Sequence, residues 1–101
     1  MSYFHINQVK RANKELGHHW FSRDTMRFFK SRVGTRVYKG KYFISSEQFE
    51  CFGSSGHGYH IEPRKYTVRI ANEDGSIDTV GEFQQFDTYN QAKRYIETNL
   101  D

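Results

Sequence analysis

The sequence predicts an α+β fold, in which an antiparallel three- to four-stranded sheet carries two N-terminal helices and one C-terminal helix (α-α-β-β-β-β-α). Three observations lead to this prediction. Apolar residues recur at helical spacing near both ends of the chain, and they alternate with polar residues in the middle. Glycine-containing turn sequences separate the segments. The length of 101 residues favours one domain that spans residues 1–101.

The first 34 residues predict two helices. Residues 6–16 form the first, with a stripe of Ile6, Val9 and Leu16, with Ala12 or Asn13 between them, and with Gly17 at the position that follows a helix end. The second runs from about 23 to 32, with Ser22 as its N-cap and Gly34 as its end.

The middle of the chain predicts four strands. Residues 36–38 and 41–45 flank a hairpin turn at Lys39-Gly40. Residues 66–70 alternate between apolar and polar side chains, which predicts a half-buried strand with Thr67 and Arg69 on its polar face. Residues 77–85 return as a strand after a turn at 72–75, with a bulge near Gly81. The glycine-rich segment 53–60 is predicted to be a flexible loop.

A last helix is predicted to begin at Thr88. Thr88 and Gln91 have the spacing of a capping box, and Ala92, Ile96 and Leu100 (or Tyr95) form the buried stripe. With an antiparallel sheet, we expect the three helices to pack on one side of it.

Charge is distributed unevenly along the chain. Residues 1–41 contain ten Lys and Arg against two acidic residues, net +8, whereas residues 42–101 are net −5. A basic half on a small protein indicates an anionic partner, which is either nucleic acid or an acidic protein surface.

The candidate binding residues are basic and aromatic side chains of the two N-terminal helices. Bases of single strands stack on aromatic rings while Arg and Lys contact phosphates. Helical spacing also explains Trp20 as a core residue, so both interpretations stay open for it, while Phe28 is expected to be exposed beside Arg27. The full set is Lys10, Lys14, Trp20, Arg23, Arg27, Phe28, Lys30 and Arg32.

Other functional classes have little support in the sequence. The pair His57-x-x-His60 would need Cys51 and His18 or His19 to complete a zinc site, and no second close-spaced ligand pair supports it, so we expect no metal and no cofactor. The carboxylates show no spacing typical of acid/base catalysis, which favours a protein that is not an enzyme. Neither a signal peptide nor a membrane span is expected, and the single cysteine favours a cytoplasmic location.

Two resemblances add to this interpretation. The strings MRFFKSRV (26–33) and DTVGEF (78–83) resemble a family of small uncharacterised phage-encoded proteins. That resemblance implies a phage accessory protein expressed in a bacterial host, with no activity to transfer. The segments YTVRI (66–70) and TYNQAK (88–93) are similar to the last strands and helix of double-stranded-RNA-binding domains, although Tyr89 and Asn90 stand where that family has lysines.

The sequence therefore predicts a non-enzymatic phage-type accessory protein that binds an anionic partner, most simply nucleic acid, through a basic N-terminal helical face. The alternative is a phage accessory protein that binds and modulates a host protein, such as a defence or transcription component. The oligomeric state is left open.

Overall fold

The computed structural model describes residues 3–28, 30–48, 50–52 and 59–101, with side chains described except at 28, 50–52 and 59–61. Within these residues there are three helices and six strands. The helices are α1 (Ile6–Glu15), α2 (Arg23–Phe28) and α3 (Tyr89–Asn99). The strands are β1 (Arg32–Val33), β2 (Tyr42–Glu47), β3 (Glu50–Phe52), β4 (Tyr59–Ile61), β5 (Lys65–Ala71) and β6 (Ile77–Val80). None of the helices in this part of the chain is long and apolar enough to cross a membrane.

The main sheet is antiparallel and has the strand order β1-β2-β5-β6. Its central pair places Ser45 opposite Thr67 and Phe43 opposite Arg69. Strands β3 and β4 form a separate antiparallel pair that lies between β2 and β5 in the chain. The four-stranded sheet and the three helices confirm the predicted α+β class and the order α-α-β-β-β-β-α.

The helices cover both faces of the sheet, which corrects the expectation that they share one side. Tyr42 and Ile44 belong to a core cluster with Ala92 and Ile96 of α3. Phe43, between them in β2, belongs to a second cluster that contains residues of α1. Because consecutive side chains of a strand point to opposite faces, α1 and α3 pack on opposite sides of β2.

Strand β5 is buried on both faces, whereas the sequence predicted a half-buried strand. Val68 is fully buried, and so is Thr67, while Arg69 is 9% exposed. Thr67 and Arg69 lie opposite Ser45 and Phe43 of β2, so their burial depends on the register between two distant segments.

The predicted helix ends at Gly17 and Thr88 are confirmed. Gly17 follows α1 with φ 87°, and the Thr88 hydroxyl accepts a hydrogen bond from the Gln91 backbone N–H at 3.2 Å. The buried stripe of α1 contains Ile6, Val9 and Asn13, as predicted, but it differs from the prediction at its end, because Leu16 is 55% exposed. The side-chain NH2 group of Asn13 donates to the Gly75 carbonyl at 2.8 Å. The side-chain oxygen of Asn13 accepts a hydrogen bond from the backbone N–H of Trp20 at 3.1 Å.

Three predicted boundaries are wrong. The second helix ends at Phe28 rather than near residue 32, and Arg32 begins strand β1. Residues 36–38 make isolated bridges, Arg36 with His5 and Tyr38 with Tyr42, rather than a strand, although the turn at Lys39-Gly40 is present with φ values of 53° and 76°. The last strand stops at Val80, because Gly81 takes φ 76° and turns the chain.

The predicted loop at 53–60 falls mostly outside the described residues. Residues 53–58 are not among them, and Tyr59 and His60 lie in strand β4.

Helix α3 is joined to the segment before β2 by two tyrosines. The hydroxyl groups of Tyr38 and Tyr89 are hydrogen-bonded at 2.7 Å. Burial, and then this hydrogen bond, raise the pKa of Tyr89 from 10.0 to about 12. The neutral phenol is therefore favoured in the folded state, and its contribution to stability is complete below pH 10 and is lost as the pH rises toward 12.

We expect the free energy of unfolding to fall between pH 10 and 12, and we expect Tyr89→Phe to weaken that dependence. Urea unfolding at several pH values across this window measures it. Tyr95→Phe, which removes a phenol from the same helix, is the matched control. An unchanged pH dependence in Tyr89→Phe would contradict the assignment.

Candidate nucleic-acid interface

Helix α2 and the turn after it place four cationic side chains close together. The Ser22 hydroxyl accepts a hydrogen bond from the Thr25 backbone N–H at 3.3 Å, which is the predicted N-cap. At the other end Lys30 adopts a left-handed conformation with φ 49°, and the Ser31 N–H donates to the Met26 carbonyl at 2.7 Å. These are features of a Schellman motif, and they turn the chain from α2 directly into β1.

Arg64, which precedes β5, joins this turn to the sheet. Its Nη1 donates to the Ser46 carbonyl at 3.0 Å and to the Ser46 hydroxyl at 2.9 Å, and its Nη2 donates to the Lys30 carbonyl at 3.0 Å. Burial, and then the nearby charge of Arg32, lower the pKa of Arg64. The guanidinium is thus held in a fixed orientation next to another positive charge.

These elements line an open cleft of about 640 Å³, which we call the basic cleft. Its lining residues are Arg23, Met26, Arg27, Lys30, Ser31, Arg32, Gln48 and Arg64. Five of them are cationic, and none of the described residues that line it carries a carboxylate. A concave surface of one charge sign concentrates the field of that charge and attracts ions of the opposite sign.

A second cleft lies beside α1 and contains the other two predicted lysines. The α1 cleft has a volume of about 390 Å³ and is lined by Lys10, Asn13, Lys14, His18, His19, Phe21 and Ser22. The ammonium of Lys10 lies 5.9 Å from the centre of the Phe21 ring, a cation–π contact. The ring of His18 is held in place, because its Nε2 lies 3.0 Å from the Asp74 carbonyl oxygen.

Trp20 lies in a third cavity, which we call the aromatic pocket. It has a volume of about 340 Å³ and is lined by Trp20, Thr25, Met26, Ser31, Arg69 and Phe83. The Trp20 ring packs edge-on against Phe21 at 4.7 Å and against Phe43 at 5.8 Å between ring centres. Half-buried Trp20 therefore belongs to the core and also forms a wall of a surface cavity.

A buried ion pair fixes Arg69 at this pocket. Its Nη2 lies 3.7 Å from Oε2 of Glu47, a fully buried carboxylate whose Oε1 accepts a hydrogen bond from the Thr67 hydroxyl at 2.8 Å. Arg69 Nε donates to the Ser45 hydroxyl at 3.0 Å, and Nη1 donates to the Thr79 hydroxyl. Burial lowers the pKa of Arg69, and the charge of Glu47 opposes this shift.

The histidines offer no metal centre in the described part of the chain. No group of three or more His, Cys, Asp or Glu side chains there is arranged to hold an ion. His57 lies outside the described residues, as do the side chains of Cys51 and His60. The described residues therefore give no support to the zinc site that was considered from the sequence.

A comparison with protein-family models shows the family to which this chain belongs. The model of a family of unknown function (DUF7447) matches residues 5–97. The chain belongs to this family. Every residue that lines the basic cleft, the α1 cleft and the aromatic pocket lies within the matched range of DUF7447. No curated protein matches the chain. No solved structure matches it either.

The eight residues predicted from the sequence are divided among these cavities. Arg23, Arg27, Lys30 and Arg32 line the basic cleft. Lys10 and Lys14 line the α1 cleft, and Trp20 lines the aromatic pocket. Phe28 is the last residue of α2, and its side chain lies outside the described part of the molecule.

The sequence prediction missed Arg64, Gln48 and Arg69. Each comes from the sheet region, 16 or more positions beyond Arg32, and reaches these cavities only through strand pairing. Their residue types gave no local signal, because an isolated Arg or Gln in a strand-rich segment is most often a solvated side chain.

Proposed function

We propose that this protein binds nucleic acid through the basic cleft and that it acts by binding rather than by catalysis. One observation carries the proposal. Five cationic side chains line a single concave surface, and none of the described residues that line it carries a carboxylate. Bringing like charges together costs free energy, and an anionic ligand offsets that cost.

Phosphodiester groups suit this surface for a geometric reason. A guanidinium group can donate two parallel hydrogen bonds to the oxygens of one phosphate. Arg64 is already oriented by Ser46 and the Lys30 carbonyl, so less conformational entropy is lost when it binds.

The α1 cleft supports a longer contact. Ser22 lines the α1 cleft, and its neighbour in the chain, Arg23, lines the basic cleft. We propose that a strand bound in the basic cleft extends toward Lys10 and Lys14.

The biological setting is part of the same proposal. We place the protein in the cytoplasm of a bacterial host as a phage accessory protein. The strings at 26–33 and 78–83 support this setting, and nucleic acid is accessible in that compartment.

Equilibrium binding at two salt concentrations tests the proposal. Fluorescence anisotropy of labelled single strands and duplexes is expected to show binding that weakens steeply with salt. If all five cations of the cleft neutralise a phosphate, the logarithm of the association constant falls with the logarithm of salt concentration with a slope of about −3.5 for single strands. Absence of binding even at low salt would refute the proposal.

The alternative is that the same cleft docks on an acidic surface of a host protein. Exposed aromatic groups beside arginines also favour protein interfaces, and Phe83 is 41% exposed next to Arg69. A charge-dependent host-protein complex that survives nuclease treatment, together with no binding to nucleic acid, would replace the first proposal with this one.

A further inference from the structure

The aromatic pocket adjoins the basic cleft. Met26 and Ser31 line both cavities, so the two lie side by side. The pocket volume of about 340 Å³ lies within the range of ligand pockets, about 300–1,000 Å³. The two cavities differ in chemistry, since the basic cleft presents five cations whereas the pocket presents two aromatic rings and a thioether beside the single guanidinium of Arg69.

The walls of the aromatic pocket are held in place by the sheet. The guanidinium of Arg69 lies 5.3 Å from the centre of the Trp20 ring and 5.5 Å from the centre of the Phe83 ring. The hydrogen bonds of Arg69 to Ser45 and Thr79 restrict its rotation. The pocket thus offers flat, oriented groups of the kind on which a nucleobase stacks.

Among the described residues, no acceptor contacts one side of the Arg64 guanidinium. Its three hydrogen bonds use Nη1 and one hydrogen of Nη2. Among the described residues, Nε and the second hydrogen of Nη2 have no partner. A guanidinium binds two oxygens of a phosphate through such a pair of neighbouring N–H groups.

We propose that the basic cleft and the aromatic pocket together form a site for single-stranded nucleic acid, with a backbone phosphate at Arg64 and an adjacent unpaired base in the pocket between Trp20, Met26 and Phe83. This inference rests on the proposed function and adds the strandedness of the partner. A base in a duplex is stacked and paired, and removing it from the duplex costs free energy. A single strand presents its bases without that cost, so the pocket selects for it.

Trp20 provides a direct readout, because it is the only tryptophan of the chain. A base that enters the pocket contacts the indole ring and is expected to quench its fluorescence. We would titrate the protein with a short oligothymidine, with a strand of the same length whose nucleotides are abasic, and with a duplex. We expect quenching by the oligothymidine and at least tenfold weaker binding of the abasic strand and of the duplex at the same salt concentration.

A substitution in the pocket gives the second measurement. Phe83→Ala is expected to weaken binding of oligothymidine about tenfold while leaving the affinity for the abasic strand unchanged, because stacking is lost and phosphate contacts remain. Phe4→Ala is the matched control, since Phe4 is 79% exposed and lines none of the three cavities.

The outcomes separate this inference from the proposed function. Equal affinity for oligothymidine and the abasic strand, with no quenching of Trp20, would overturn the base pocket and leave electrostatic nucleic-acid binding intact. Absence of binding to every probe at low salt would overturn both. Tighter binding of the duplex than of the single strand would overturn the inference on strandedness alone.

Discussion

Replacing Arg69 by alanine is expected to lower the free energy of unfolding by about 3–5 kcal/mol. The Glu47 side chain is 1% exposed, and Arg69 is the cation paired with it. Oε2 of Glu47 is buried and accepts no hydrogen bond from the described residues, so the charge of Arg69 is its main compensation. Without that cation the carboxylate would be left as an uncompensated charge inside the protein.

Urea unfolding of the purified variant measures this loss. The double substitution Glu47→Leu with Arg69→Met is expected to recover much of it, because it removes both charges together. Arg94→Ala is the matched control, since Arg94 is exposed on α3. A loss below about 1 kcal/mol in Arg69→Ala would show that the buried pair contributes no more than an exposed one.

Local sequence signals predicted the helix starts correctly because capping depends on a few neighbouring residues. Ser22 and Thr88 each cap a helix through a side-chain oxygen, as the spacing indicated. The predicted end of α2 was wrong, because it depends on the backbone conformation of one residue after the helix. Lys30 adopts a left-handed conformation that is unusual for lysine, so its residue type did not predict the turn.

The sheet was predicted in outline, but its polar face was misjudged. Alternation in 66–70 indicated a strand correctly, and it placed Thr67 and Arg69 on a solvated face. Pairing with β2 sets these residues opposite Ser45 and Phe43 and buries them. The pattern of one strand does not contain this information, because the register pairs residues that are 22 to 26 positions apart in the chain.

The candidate site was also predicted only in part from the sequence. The charge excess of residues 1–41 predicted the four cations that α2 and β1 bring to the basic cleft. Arg64 joins them from the far side of β2, and its role depends on hydrogen bonds to Ser46 and Lys30 that no sequence pattern indicates. A count of charges also could not predict that Lys10 and Lys14 line a second cleft.

Charge reversal at Arg23 and Arg27 together is expected to abolish nucleic-acid binding. The substitutions Arg23→Glu and Arg27→Glu change the charge of the lining cations from +5 to +1, and they place two carboxylates where phosphates would bind. We expect the affinity at near-physiological salt to fall by at least about 100-fold, because electrostatic contacts supply most of such binding. Both side chains are exposed, so the free energy of unfolding should change by about 0.5 kcal/mol or less.

The matched control is a double variant with the same change of net charge at two positions outside the basic cleft. Arg11 and Arg94 are exposed and line neither the basic cleft nor the aromatic pocket. The double variant Arg11→Glu with Arg94→Glu is expected to lose less than about tenfold in affinity, through the weaker long-range field alone.

The most direct test of the central claim is an anisotropy titration of one labelled single strand with the wild-type protein and these two double variants, at low and near-physiological salt. The basic cleft predicts tight, salt-sensitive binding by the wild type and by the Arg11/Arg94 variant, and none by the Arg23/Arg27 variant. Equal affinities for the three proteins, or retained binding in the Arg23/Arg27 variant, would contradict a nucleic-acid site at this cleft.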